Sequence, residues 1–383
     1  MKQEVSVLHV CSGFSDQRIY NELISNLAVL GVEQTVYIPV RSSDRIGKNR
    51  NESLQNVKYV YSFVLRPFHR VLFRLKVITI YNDLIKKINV EKINKVHAHF
   101  LFSDGAVALK LKKAKGIPYI VAVRNTDINI FYKYMVHLRK IGIEILKEAD
   151  KIIFITPSYQ HLLLKNYVPE CIHDQLIKKM HIIPNGVESF WLHNPPKNKS
   201  PMKGNLKILY VGDFSRNKNL LLLINCIDKL NKEGLKCNLT LIGGRGNGEK
   251  EVIKKLNNSH STYVKIISHV NDREMLRKLY EAHDIFVMVS LKETFGVVYL
   301  EAMSQGLPII YTKGQGIDGY FENGKVGYSV NPKDIYDIVD KIIKVTSQIE
   351  KMADEAINQS HKFNWNSISQ YYFTLYQIEK TNS

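Results

Sequence analysis

Two glutamates eight residues apart, Glu293 and Glu301, stand in the run SLKETFGVVYLEAMSQGLPII, Ser290 to Ile310, which follows the strand-like stretch DIFVMVS. Glu293 falls in the loop after that strand, and Thr294, Phe295, Gly296 and Val297 lead into a helix. The first N–H groups of a helix have no partner within it and its dipole places partial positive charge there, so such a start suits a diphosphate. A carboxylate accepts hydrogen bonds, so either glutamate could hold hydroxyl groups beside that anion. A bare pair at this spacing is more often two solvated carboxylates beside an ordinary helix start.

Other runs offer compatible chemistry. LKILYVGDFSRNKNL, Leu206 to Leu220, reads as a strand, a glycine turn at Gly212 and two cations, Arg216 and Lys218, ahead of a helix. LTLIGGRGNGE, Leu239 to Glu249, ends a strand in a glycine cluster that includes Gly243; alone, such a cluster is usually just a turn. In the first half, HVCSGFSDQR carries Gly13 in the loop after the opening strand, where a missing side chain lets backbone approach a substrate. NKVHAHFLFSDGAVAL puts His97 and His99 on one strand face; they could be metal ligands, but no third ligand of suitable spacing follows, and no metal is expected. VAVRNTDIN supplies Arg124 and Asp127. No Asp-x-Asp occurs, so a metal-bridged diphosphate has no obvious ligands, and cations with a helix dipole would have to replace magnesium.

Taken together, these runs resemble the retaining glycosyltransferases of the GT-B fold, specifically glycosyltransferase family 4. The Glu-x7-Glu region matches with its Thr-Phe-Gly, Glu-Ala-Met and Gly-Leu-Pro in order, and HIIPNGVESFW (His181–Trp191) and KFNWNSISQYYFTLY (Lys362–Tyr376) match the close of the first domain and the closing helix. The resemblance implies a nucleotide-diphosphate sugar as donor and a hydroxyl of a glycan or lipid-linked molecule as acceptor. It further implies retained anomeric configuration and a place in bacterial cell-surface polysaccharide synthesis, capsule or lipopolysaccharide. No cofactor beyond the donor is implied. It assigns Glu293 to sugar hydroxyls and Glu301 to the ribose, with Gly13, Gly212, Arg216, Lys218, Gly243 and Thr294–Val297 around the donor. His99 and Arg124 fall on the acceptor side, and Glu293, Lys218, Arg124 and Asp127 form the expected catalytic set.

Two positions depart from the family pattern. Asp213 follows Gly212 where an arginine is usual, with Arg216 three residues on to make up the charge. Arg124 replaces a histidine, and a permanent cation there calls for an anion opposite: the donor diphosphate, a carboxylate on the donor sugar, or a phosphate on the acceptor. The first explains both departures together. These departures keep open a non-catalytic sugar-nucleotide-binding subunit, and a phosphorylase or epimerase on the same architecture is a further alternative.

The elements that must position these residues follow from periodicity. Short aliphatic runs alternate with amphipathic ones, the mark of an α/β protein with parallel sheets, and 383 residues suit two doubly wound, Rossmann-like domains facing a cleft. The tract NPPKNKSPMKGN, Asn194 to Asn205, excludes helix and central strand and sets the predicted boundary: residues 1–200, then 201–360, then a closing helix in 361–383 crossing back to the first domain. The first half holds 30 Lys+Arg against 16 Asp+Glu, so most of the net charge of +18 sits there. Arg66, Arg70 and Arg74 fall four apart beside Phe68, Leu72, Phe73 and Leu75, which reads either as a helix on an anionic bilayer or as a solvated basic face. No nucleic-acid motif accompanies the charge. With no signal peptide and no apolar run of spanning length, the expected location is cytoplasmic, peripheral on the inner face of the plasma membrane. The four scattered cysteines suggest neither zinc nor disulfides.

Overall fold

The computed structural model describes residues 5–196, 204–259 and 262–377. The chain divides into two compact units, Met1–Asn185 with Trp365–Ser383, and Gly186–Asn364. The proline-rich tract where the sequence predicts the boundary lies mostly outside the described residues.

In the first unit seven strands form a wholly parallel sheet: β1 (Ser6–Val10), β2 (Glu33–Pro39), β3 (Val57–Ser62), β4 (Lys95–Ala98), β5 (Tyr119–Val123), β6 (Lys151–Phe154) and β7 (Met180–Ile182). Their order is β3-β2-β1-β4-β5-β6-β7. Central strands buried on both faces need continuous apolar runs, and β5, YIVAV, is buried at every position. The closing helix Trp365–Tyr376 belongs to this unit: Trp365, Ile368, Tyr372, Leu375 and Tyr376 pack with Val7, Leu23, Leu27 and Ile120.

The second unit repeats the scheme with β8 (Leu206–Asp213), β9 (Cys237–Gly244), β10 (Val264–Ile267), β11 (Ile285–Met288), β12 (Ile309–Thr312) and β13 (Gly327–Val330), in the order β10-β9-β8-β11-β12-β13, again all parallel. Strand order reverses between β1 and β4 in one sheet and between β8 and β11 in the other. Ligands of open α/β sheets bind at such switch points, outside the carboxyl ends of the strands.

Three strands escape the periodicity reading: β3 is a half-exposed edge strand, β7 is three residues long, and β13 is the four-residue GYSV. Periodicity reads Val71–Ile88 and Asn129–Glu148 each as one continuous helix, and both need correction. Val71–Ile88 begins only at Phe73, because Leu72 (φ −87°, ψ 75°) leaves helical geometry, and Pro67–Arg70 forms a separate short turn. Arg66, Arg70 and Arg74 therefore do not share one helix face. Asn129–Glu148 is likewise broken into a π-type turn at Asp127–Tyr132, a short turn at Val136–Leu138 and a helix at Arg139–Glu148, with Met135 (φ −100°, ψ 62°) at the break.

Candidate functional site

The second unit assembles its residues at the β8/β11 switch. The turn after β8 is stitched to the loop after β11: the Asn217 side chain donates to Lys292 O at 2.8 Å and accepts from Lys292 N at 3.1 Å, and Leu291 N donates to Asn217 O at 2.8 Å. This lays Lys218 against Glu293, Nζ to Oε2 at 2.8 Å, both side chains mostly buried. Glu293 Oε1 also accepts from Thr294 N at 3.0 Å, and Ser290 Oγ reaches Oε2 at 3.4 Å. Gly316 N donates to Glu293 O at 3.1 Å, and Gly316 (φ 54°) has no room for a side chain, since a Cβ would lie 2.9 Å from Glu293 Cγ. Gly296 (φ 81°) caps the helix Val297–Ser304, and Tyr299 Oη, donating to Met288 O at 2.6 Å, ties that helix to β11.

Beside this pair lies a cavity of about 880 Å³ at the carboxyl ends of β8, β9 and β10. Gly212, Gly243, Arg245, His269, Val298 and Glu301 are among its walls. The glycines have a steric reason. Gly243 (φ 139°) lies against β8 so closely that a Cβ would sit 1.9 Å from Gly212 O, and one on Gly246 would sit 2.4 Å from the Phe214 backbone. Glu301 accepts from Tyr280 Oη at 3.0 Å. Removal from water pushes its carboxyl up to about 7, Glu188 adding to the rise while Tyr280 and Arg273 oppose it.

Arg216 and Asp213 both hold partners within the second unit. The Arg216 guanidinium is exposed and paired with Glu251 at 2.5 Å, and Asp213 Oδ1 accepts from Ser215 N at 2.8 Å. The cation on the cavity wall is Arg245, whose backbone is left-handed (φ 52°).

In the first unit, the residues after β1, β4 and β5 converge. Gly13 needs its hydrogen because a Cβ would stand 2.8 Å from the Phe100 ring. Asp127 accepts from three backbone amides, Arg124 at 2.9 Å, Leu101 at 3.0 Å and Phe102 at 3.2 Å, which clamps the loop after β5 to the start of the helix Ser103–Lys115. Burial still raises its carboxyl to about 6, with those amides and the Arg124 charge pulling the other way. Arg124 is buried, Nε donates to His99 O at 3.3 Å, and the guanidinium stands 5.7 Å from the Tyr20 ring centre. The Arg124 charge acts on the Asp127 carboxyl, which lies three residues on.

His99 is part of a cluster. β1 sets His9 beside His97, and His9 Nδ1 shares a hydrogen bond with His99 Nε2 at 3.0 Å, while His97 Nδ1 pairs with Tyr376 Oη at 2.7 Å. The third imidazole missing from the residues that follow His99 is supplied from 90 residues before it, and one ring nitrogen from each lies within 4.8 Å of the others. All three rings are fully buried, and desolvation holds them neutral: His9 falls to about 3, and His97 and His99 are lowered well, the nearby Arg124 adding to both.

The chain is similar to known proteins. The model Glycosyltransferase Family 4 matches residues 17–189, and Glycosyl transferases group 1 matches residues 194–363. The chain belongs to this glycosyltransferase family. An uncharacterized glycosyltransferase of Methanocaldococcus jannaschii is 24% identical over 335 residues, covering 82% of each chain. The alpha-monoglucosyldiacylglycerol synthase of Acholeplasma laidlawii is 25% identical over 334 residues, covering 81% of this chain and 79% of its own. Among solved structures, the sucrose-phosphate synthase of Thermosynechococcus elongatus superposes with a TM-score of 0.76 at 18% identity, covering 97% and 98% of the two chains. Anabaena HepE in complex with UDP gives 0.73 at 15% identity, covering 97% and 99%. The fold of this glycosyltransferase is GT-B.

Of the transferase residues expected from sequence, Lys218 and Glu293 form one pair, Gly212, Gly243 and Glu301 line one cavity, and Arg216, in the same turn as Lys218, pairs with Glu251. Arg245, His269 and Gln315, whose Oε1 accepts from Glu293 N at 3.3 Å, went unrecognised. His269 lies just past the carboxyl end of β10, where the rule for open α/β sheets directs attention. Gln315 carried no local signal.

Proposed function

We propose that this glycosyltransferase moves a sugar from a nucleoside diphosphate to a hydroxyl of a lipid-linked or glycan acceptor, with retention, in building a bacterial cell-surface polysaccharide such as capsule or lipopolysaccharide. The observation that carries this is the glycine-walled cavity ending at Glu301 with the Lys218–Glu293 pair beside it. In this reading the nucleoside fills the cavity and the Glu301 carboxylate accepts from ribose hydroxyls. Lys218, with the start of the helix at Val297, stabilises negative charge as the diphosphate leaves, an effect worth about 3 kcal/mol for a well-placed donor. Donor entry frees Glu293 from Lys218 to orient the sugar. The HepE structures with UDP and with UDP-glucose support a nucleotide-sugar donor.

The lipid side of the proposal rests on the first unit. Phe68, Val71, Leu72, Leu75 and Ile78 are exposed among Arg66, Arg70 and Arg74, a surface suited to an anionic bilayer, and no described helix is long and apolar enough to cross one. We place the protein on the cytoplasmic face of the plasma membrane. The name of the Acholeplasma relative, a diacylglycerol glycolipid synthase, supports an acceptor of lipid type.

The experiment is a thermal-shift panel of nucleotide sugars, then transfer with the stabilising donor and NMR of the product anomer. A donor at about 100 times its Kd adds roughly 2.7 kcal/mol of stability. Transfer persists in EDTA. An inverted product, or transfer abolished by EDTA and restored by Mg²⁺, refutes retention or metal independence respectively. Binding without turnover marks the non-catalytic subunit, a reading favoured by Asp213 and by the engagement of Arg216 with Glu251.

A further inference from the structure

A second cavity, of about 330 Å³, lies in the first unit and has a different character. Every formally charged residue on its wall is a cation: Arg41, just past β2, Arg70 on the turn before the helix Phe73–Lys87, and Lys76 within that helix. Lys76 is 7% exposed, with Nζ on Ser103 Oγ at 2.5 Å, and Arg41 Nη1 is buried without a hydrogen-bond partner. Arg41 as a whole is half-buried, and a shielded guanidinium N–H without an acceptor is costly, so Nη1 is disposed to take one from a ligand. The charges also oppose one another: burial lowers Arg41 first, Arg70 and Arg45 adding to it, and burial lowers Lys76 to about 8, Asp104 opposing and Arg41 adding.

The same cavity has an apolar side, Val71, Phe73, Phe131 and Leu138. Val71, Phe73, His137 and Leu138 also line an adjoining cavity of about 690 Å³, whose walls add the apolar Leu72, Leu75 and Ile141 and the charged Arg74, Lys140 and Glu144. Three cations and an unpaired guanidinium N–H at one end, running into walls that are mostly apolar at the other, match an amphiphile with an anionic head.

We propose that the cavity at Arg41, Arg70 and Lys76 binds a phosphate ester carried on a hydrocarbon chain, the head held by the cations and the first carbons lying along Phe73 and Leu138. Its assignment to the acceptor rests on the transferase reading above; the binding site itself does not. The planar guanidinium of Arg41 offers two N–H groups to two phosphate oxygens, and Lys76 a compact point charge.

The test is calorimetric titration of the full chain with hexyl phosphate, inorganic phosphate and hexyl glucoside. Hexyl phosphate binds at least tenfold more tightly than either control. Arg41→Gln and Arg70→Gln each weaken it fivefold or more while leaving the affinity for a nucleoside diphosphate unchanged; Arg70 is exposed, so its variant tests the site without disturbing the core. Equal affinity for inorganic phosphate overturns the amphiphile, and wild-type affinity in both variants overturns the site. Displacement of hexyl phosphate by phosphatidylglycerol vesicles assigns the pocket to bilayer headgroups and overturns the acceptor source. Because these readouts need no turnover, failure of the transferase reading leaves them unaffected.

Discussion

Lys218 Nζ and Glu293 Oε2 stand 2.8 Å apart, so the lysine proposed for the leaving diphosphate and the carboxylate proposed for the sugar neutralise each other. A largely desolvated pair of this kind stores both charges in place and releases them when an anion competes for the lysine. Glu293→Gln leaves a partly buried lysine short of its counter-charge, costing about 1–3 kcal/mol of stability, and lowers kcat by about 10²–10³ in a folded protein. Steady-state kinetics beside a melting curve check this; near-normal turnover in the folded variant refutes the role.

Glu301 gives the proposed donor site a pH dependence. With its carboxyl pushed up to about 7, most of it is protonated at pH 6 and ionised at pH 8. Because the carboxylate accepts from two hydroxyls while the acid spends one oxygen as a donor, affinity for a nucleoside diphosphate rises roughly tenfold over that interval. Glu301→Gln flattens the profile. A wild-type profile already flat in titration calorimetry removes Glu301 from the ribose.

The neutral histidines make stability depend on pH. Their folded values lie below the ordinary 6.5, so the unfolded chain takes up protons that His9, His97 and His99 refuse. Stability is therefore full above 6.5 and is lost as pH falls, by about 2 kcal/mol per histidine at pH 5. The buried carboxyls of Asp104 and Asp127, raised to about 7 and about 6, act in the opposite sense and gain stability over part of the same range. The readout is thus the difference in slope between wild type and His9→Asn/His99→Gln from pH 7 to 5, the variant being flatter. Parallel slopes contradict it.

Gly243→Ala tests the glycine wall. With Gly212 O only 1.9 Å from where the Cβ would stand, and φ at 139°, β8 and β9 must part. The cost is about 3 kcal/mol or more, which lowers Tm by roughly 10 °C in a unit of this size. Scanning calorimetry settles it, and a shift below 2 °C shows that the loop yields.

The exposed face around Val71 and Leu72 predicts flotation with anionic vesicles and little with zwitterionic ones, weakened by salt as surface charge is screened. Val71→Asp/Leu75→Asp abolishes it. Equal recovery with both lipids contradicts the electrostatic part.

Local sequence determined much of this protein. Both doubly wound sheets, the helix Leu220–Lys232, the Gly-rich turn at Gly243 and the pairing of a loop glutamate with a helix start at Val297 were legible, because period-two and period-3.6 patterns and glycine positions are set within a few residues. Contacts made across long separations were not legible. His9 joins His97 and His99 only when β1 pairs with β4; Arg216 turns to Glu251 only when the glycine loop folds back on Phe214; Arg41 meets Lys76 only when the turn after β2 approaches a helix over 30 residues on. The arginine spacing at 66, 70 and 74 suggested one helix face, and burial of Phe73 with the non-helical Leu72 decided otherwise. Side-chain periodicity states which way a residue points along its own element, whereas counter-charges and ring partners are fixed by which elements become neighbours, and only the tertiary structure chooses those.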